Sequence, residues 1–271
     1  MSRIKETFAR LRKEGRTGLV TFVTGGDPDV ARSREILLGL SEAGADIVEL
    51  GMPFSDPMAD GPSIQASSCR ALASGIKLAD ILDLAADFRK HNPKTPLVLM
   101  GYVNPIWNMG FEDFTDRAAK AGVDGLIVVD LPPEEDVELR TKAAKAGIAL
   151  IRLATPTSDD ERMKTIALNA SGFLYYVSIT GVTGTRAAAT REAVAAGVAR
   201  IRKASDLPIT VGFGIREPEQ AAALSGVADA IVVGSTLVDI VCEAPGSPAL
   251  VHAKVRALAD ALKGTHHELD Q

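Results

Sequence analysis

Short apolar, β-branched runs recur at residues 19–23, 46–50, 97–100, 126–129, 149–153, 173–177, 209–211 and 230–233. Between them lie Ala-rich, charge-flanked stretches with apolar positions at helical spacing, so strand and helix alternate throughout. Strands in that order are parallel and joined by helical crossovers. The phrase before a strand also repeats, as Glu42-Ala-Gly-Ala-Asp46, Lys120-Ala-Gly-Val-Asp124, Lys145-Ala-Gly-Ile148 and Ser225-Gly-Val-Ala-Asp229. A helix end, a Gly able to take φ > 0 and then a strand make a tight αβ turn.

Eight such βα modules predict a single (β/α)8 barrel over residues 1–271. A doubly wound sheet is the second choice, because sequence alone leaves strand order open. Ile4, Phe8 and Leu11 have helical spacing, so residues 1–17 read as an extra amphipathic helix closing the barrel bottom. Residues 264–271 form a polar tail.

Of the 271 residues 46% are hydrophobic but only 4% aromatic, which suits a core of Val, Ile, Leu and Ala around parallel strands. A net charge of −5 without a basic stripe excludes nucleic-acid binding. No apolar run approaches the ~18 residues of a membrane span, and the N-terminus lacks the apolar core of a signal peptide, so a cytoplasmic protein is expected. Cys69 and Cys242 lie far apart with no CxxC and read as two buried free thiols rather than a disulfide or zinc site. His91, His252, His266 and His267 are expected at the surface, and no metal site is expected.

Two βα connections, 51–62 after the second strand and 178–190 after the sixth, exceed the usual ~4–6 residues. In a barrel both would emerge at the C-terminal face, where active sites form, as two lids. Glu49 interrupts the apolar second strand just before the first of them. Whichever face it takes, it is largely dry, and a buried carboxylate is either paired or functional. Arg152 is the structural partner it could borrow; the favoured role is acid/base, since desolvation raises a carboxyl pKa toward neutrality. Asp60 alone reads equally as a turn or cap residue. Its position on the loop leaving the strand of Glu49 makes it a second carboxylate in the same mouth.

Glycines cluster after the last three strands, in Gly181-Val-Thr-Gly184, Gly212-Phe-Gly214 and Gly234-Ser235, the last before a short helix. Backbone N–H groups in such turns and at a helix N-terminus cradle a phosphate without a basic side chain. Lysine is absent from all eight runs, which removes an obvious Schiff-base nucleophile. A phosphorylated substrate handled by two carboxylates then needs its own electron sink, and an indole protonated at C3 is one.

The segment Val48-Glu-Leu-Gly-Met-Pro-Phe-Ser-Asp-Pro-Met-Ala-Asp-Gly-Pro62 resembles the signature of tryptophan synthase α subunits. Tyr102-Val-Asn-Pro-Ile106, Asp130-Leu-Pro-Pro-Glu134, Tyr176-Val-Ser178 and the glycine clusters resemble further blocks of that family in the same order. The resemblance spans essentially the whole chain and implies retro-aldol cleavage of indole-3-glycerol phosphate to indole and D-glyceraldehyde 3-phosphate. It implies Glu49 as acid/base at indole C3 and the glycerol hydroxyl, Asp60 at the indole N–H, and Tyr175 as an orienting residue, with alternation needed to separate it from Tyr176. Phe22, Ile64, Met100, Ile127 and Phe213 would wall the indole pocket, Thr183 would meet Asp60 on lid closure, and Gly184, Gly214, Gly234 and Ser235 would hold the phosphate.

The implied partner is the tryptophan synthase β subunit, in an α2β2 heterotetramer, contacted through Pro53, Phe54, Asp56, Asn104, Trp107 and Asn108. The chain itself is expected to carry no cofactor, with pyridoxal phosphate only in the β subunit. Ile179 and Met100 depart from the usual family residues, Arg and Leu. Related phosphate-binding barrels such as indole-glycerol-phosphate synthase fit less well, since synthase chemistry wants a strand lysine. A standalone indole-releasing lyase and a non-catalytic regulatory subunit are the remaining alternatives, the latter disfavoured by Glu49 and Asp60.

Overall fold

A computed structural model describes residues 2–178, 190–212 and 214–263. The strands are β1 (Gly18–Thr24), β2 (Ile47–Gly51), β3 (Leu97–Gly101), β4 (Gly125–Val128), β5 (Ala149–Ala154), β6 (Leu174–Val177), β7 (Ile209–Gly212) and β8 (Ala230–Val233). All neighbours are parallel, and β8 returns to pair with β1 through Gly18↔Ala230 and Val20↔Val232, closing a barrel in chain order. The doubly wound alternative is thereby excluded.

Before β1 comes α1 (Arg3–Glu14). The crossovers contain α2 (Val30–Gly39), α3 (Pro62–Ala73), α4 (Leu78–His91), α5 (Val103–Met109), α6 (Phe111–Lys120), α7 (Val137–Lys145), α8 (Asp160–Ala167), α9 (Arg191–Ala204) and α10 (Pro218–Ala223). After β8 come α11 (Ser235–Glu243) and α12 (Pro248–Lys263). Helix α1 stops short of residue 17 because Gly15, at φ 64, turns back to bond the carbonyls of Arg12 and Leu11.

Strand alternation sorts the apolar residues into two cores. Leu19, Val48, Leu50, Leu99, Leu126 and Ile231 point outward and pack under the helices. Val20, Ile47, Val98, Ile127, Ile151 and Phe173 point into the barrel, where Ile4, Phe8 and Leu11 of α1 join them. The Phe8 and Phe173 rings meet edge to face, 5.8 Å between centroids. At this end the interior is therefore filled by α1, and the opposite, C-terminal end is left for a site.

The repeated phrase before the strands has a structural purpose. Its glycines, 44, 122, 147 and 226, all take positive φ between 75° and 114°. Its aspartates stand just before β2, β4 and β8 rather than inside them, and each accepts an N–H from the first or second residue of the preceding strand. Asp46 takes Leu19 N–H at 3.0 Å, Asp124 takes Leu97 N–H at 2.9 Å and Asp229 takes Ile209 N–H at 2.9 Å. Arginines hold the same carboxylates: Arg10 and Arg16 on Asp46, Arg3 and Arg89 on Asp124, Arg202 on Asp229. For Asp46, burial pushes the pKa up, but the Arg16, Arg10 and Leu19 N–H bonds outweigh it and leave it lowered.

Two expectations are corrected. Cys69 and Cys242 are exposed, because α3 and α11 turn them to their outer faces. His91 is exposed as expected, but His252 is half-buried between α12 and α2, its Nε2 donating to the Ile36 carbonyl at 2.8 Å. His266 and His267 lie outside the described residues.

Candidate active site

Glu49 lies on the inward face of β2, in register between Phe22 of β1 and Val98 of β3. It is 0% exposed, and neither carboxyl oxygen has a hydrogen-bond partner among the described residues. Without a cation to favour the charged form, burial pushes its pKa to about 8. Arg152 does not serve as its partner, because it points outward from β5. There its Nε and Nη2 bond Asp136 Oδ2 at 2.8 and 2.5 Å, and Nη1 donates to the carbonyls of Thr165, Ile166 and Leu168.

From Glu49 the chain runs through Gly51 into the first long loop, and Asp60 closes that loop at the start of α3. The N-cap of α3 is Gly61 and no side chain caps it, so the Asp60 carboxylate is not spent on a helix end. It is half-buried and lines a cavity at the barrel mouth. Burial raises its pKa to about 6, opposed by the neighbouring Tyr102 hydroxyl. Asp56 differs: it is exposed, takes the Ser55 hydroxyl at 2.6 Å and belongs to a surface turn.

Alternation separates the two tyrosines of β6. Tyr176 points outward, its hydroxyl against Gly197 of α9. Tyr175 joins the interior residues, with its phenol lying over Gly212 of β7. Burial, then the charges of Glu49 and Asp60, raise the Tyr175 pKa well above its ordinary value, so all three groups share one electrostatic environment. Thr210, in register beside Tyr175, is also fully buried, and its hydroxyl has no hydrogen-bond partner among the described residues.

Phe22, Ile64 and Met100 line the same cavity as Asp60. Ile127 pairs in register with Met100 but is fully buried in the barrel interior and does not line that cavity. Gly214, at φ 62, is exposed after β7; Gly234 and Ser235 form the N-cap and first residue of α11. The Thr236 hydroxyl bonds the Ile215 carbonyl at 3.1 Å, tying that helix end to the segment containing Gly214. The first turn of a helix leaves backbone N–H groups free for an anion. Thr183, Gly184, Phe213 and nearly all of the second long loop, including Ile179, lie outside the described residues.

Around the mouth, Pro53 and Phe54 are half-buried, while Asp56, Asn104, Trp107 and Asn108 are exposed, Trp107 at 71%. Thr24, Met52, Val129 and Tyr102 also line the cavity and were assigned no role from sequence. For Tyr102 a signal existed: it continues the inward parity of Val98 and Met100 past the end of β3.

The sequence pattern of one family, described as Tryptophan synthase alpha chain, matches residues 8–267. The tryptophan synthase alpha chain of Caulobacter sp. (strain K31) is 57% identical over 237 residues, 88% of this chain and 86% of that one. The crystal structure of tryptophan synthase subunit alpha from Legionella pneumophila str. Paris superposes with TM-score 0.90 at 38% identity, covering 97% of this chain and 98% of that one. A chain of Mycobacterium tuberculosis tryptophan synthase gives 0.89 at 33% identity, with 97% and 98% covered. Pattern, sequence identity and whole-chain superposition agree, and the chain belongs to the tryptophan synthase alpha chain family, lyases of tryptophan biosynthesis.

Proposed function

We propose that the chain cleaves indole-3-glycerol phosphate into indole and D-glyceraldehyde 3-phosphate. The observation that carries this reading is Glu49, fully buried, without a hydrogen-bond partner among the described residues and with its pKa raised to about 8, near a cavity that holds Asp60. Near neutral pH Glu49 is mostly protonated while Asp60, at about 6, is mostly ionised. Two carboxyl groups driven apart in this way take different parts.

Glu49 gives its proton to indole C3, making an indolenine cation. Asp60 accepts the ring N–H bond and opposes the positive charge. The Glu49 carboxylate then removes the proton of the glycerol hydroxyl next to the ring; the C–C bond breaks, its electron pair returns to the ring, and the aldehyde forms. Glu49 ends protonated, as it began. Tyr175 orients substrate or carboxylate. Phe22, Ile64 and Met100 wall the indole, with Ile127 beside Met100 on the neighbouring strand and Phe213 completing the pocket. Gly214, Gly234 and Ser235 hold the phosphate with Gly184, while Thr183 meets Asp60 when the second loop closes.

The proposed partner is the β subunit in an α2β2 assembly, docked on Pro53, Phe54, Asp56, Asn104, Trp107 and Asn108 and receiving the indole. The single barrel, 1–271, works in the cytoplasm and needs no cofactor of its own, pyridoxal phosphate belonging to the β subunit. The test is indole release by the wild-type chain and by Glu49→Gln, each alone and with β. Activity that rises with β and falls at least ~10²-fold in the folded variant supports the reading. A wild-type chain inactive even with β overturns it.

A further inference from the structure

We propose that Tyr102 is a positioning residue: its hydroxyl accepts the Ala59 N–H, gives its own proton to the Asp60 carboxylate, and so fixes the loop end that carries Asp60. The inference rests on the reading of Asp60 given above and adds the group that sets its place.

The loop leaves the barrel at Met52, whose N–H bonds the Met100 carbonyl at 2.8 Å. Over the next stretch its bonds are internal: Met58 N–H to Asp56, Asp60 N–H to Pro57, and the Gln65 amide of α3 to the carbonyls of Pro57 and Asp60. Among the described residues, Tyr102 is the barrel-wall group that hydrogen-bonds residues 53–60, through Ala59 N–H to its Oη at 3.0 Å. A phenol has one proton to donate. With a lone pair of Oη already taken by Ala59, that proton is free for the next residue's carboxylate, and the neighbouring phenol opposes the rise that burial imposes on the Asp60 pKa. In return, burial and then the Asp60 charge raise the Tyr102 pKa, which keeps the phenol protonated as a donor.

The ring itself is held. Tyr102 is 3% exposed at the end of β3, and the Phe54 ring lies 5.2 Å from it at 30°. Phenylalanine would keep this packing and remove only the hydroxyl, which makes Tyr102→Phe the discriminating variant. The other titratable groups near Asp60 and Tyr102 are Glu49 on β2, Tyr175 on β6 and Asp130 after β4, and the substitution leaves them in place.

Two measurements on the folded α–β complex test this. In steady-state cleavage of indole-3-glycerol phosphate, Tyr102→Phe should lower kcat about 10-fold with KM nearly unchanged, and move the acid limb of kcat/KM upward by roughly half a pH unit or more. Carbonyl-13C aspartate NMR, with Asp60→Asn to assign the signal, should show the Asp60 titration moving upward in the same variant. A purely packing role predicts neither change, so an unchanged acid limb together with an unmoved Asp60 titration overturns the proposal. Should the wild-type complex fail to cleave the substrate, the functional reading fails, and the NMR titration still decides whether Tyr102 holds Asp60.

Discussion

Arg152 and Asp136 form a buried ion pair on the helix side of the barrel wall, Nη2 to Oδ2 at 2.5 Å, while Glu49 stands on the inner side with no cation paired to it among the described residues. The pair is structural: Arg152 also donates to the carbonyls of Thr165, Ile166 and Leu168, and so binds β5 to α7 and to the end of α8. Removing one partner strands a buried charge. Asp136→Asn should cost about 3–5 kcal/mol of folding stability by urea denaturation. The fall of kcat/KM at high pH, expected as Glu49 ionises near about 8, should stay where it is, and a shift in it would mean that Arg152 does reach Glu49.

Because Glu49 is buried neutral, its pKa links folding to pH. The folded value, about 8, lies above the ordinary 4.5, so the folded chain binds the proton more tightly than the unfolded chain. That contribution is complete below pH ~4.5 and is lost as pH rises toward ~8, with a total on the order of 5 kcal/mol. Glu49→Gln does not ionise, so its stability relative to wild type should grow from pH 5 to pH 8.5 in urea melts. A constant difference across that range would show that the carboxyl is not desolvated as the structure has it.

The two carboxyl groups also predict the shape of the rate profile. The proposed roles need Asp60 ionised and Glu49 protonated, so kcat/KM should be bell-shaped, with limbs near about 6 and about 8. Asp60→Asn should lower kcat about 10²-fold and flatten the acid limb. An acid limb that survives in this variant would belong to another group.

Trp107 is the only tryptophan, and it is 71% exposed on α5. An indole so exposed fluoresces in a watery environment, and burial against a partner should shift its emission to the blue as β subunit is added. Trp107→Ala should weaken α–β association about 10-fold while leaving folding stability within ~0.5 kcal/mol. Emission unchanged on complex formation would place the contact elsewhere.

What the sequence determined by itself is what depends on near neighbours along the chain. Short β-branched runs and helical spacing marked the eight βα modules, the Gly turns marked their ends, and the parity of β2 put Ile47 and Glu49 on one face. A carboxylate in that strand, followed by an overlong loop with Asp60, was legible because an ionisable residue in an apolar run costs too much to be idle. Tertiary structure decided the rest, because depth and partnership depend on register between strands far apart in sequence. Closure of β8 on β1 made the inner face of Glu49 a barrel interior; Asp136 took the arginine that sequence offered to Glu49; and Ile127 came to lie in the interior core beside Met100 without lining the cavity that Met100 lines. Tyr102 passed unnoticed for the same reason, since its meaning lies in reaching across from β3 to a loop that leaves β2.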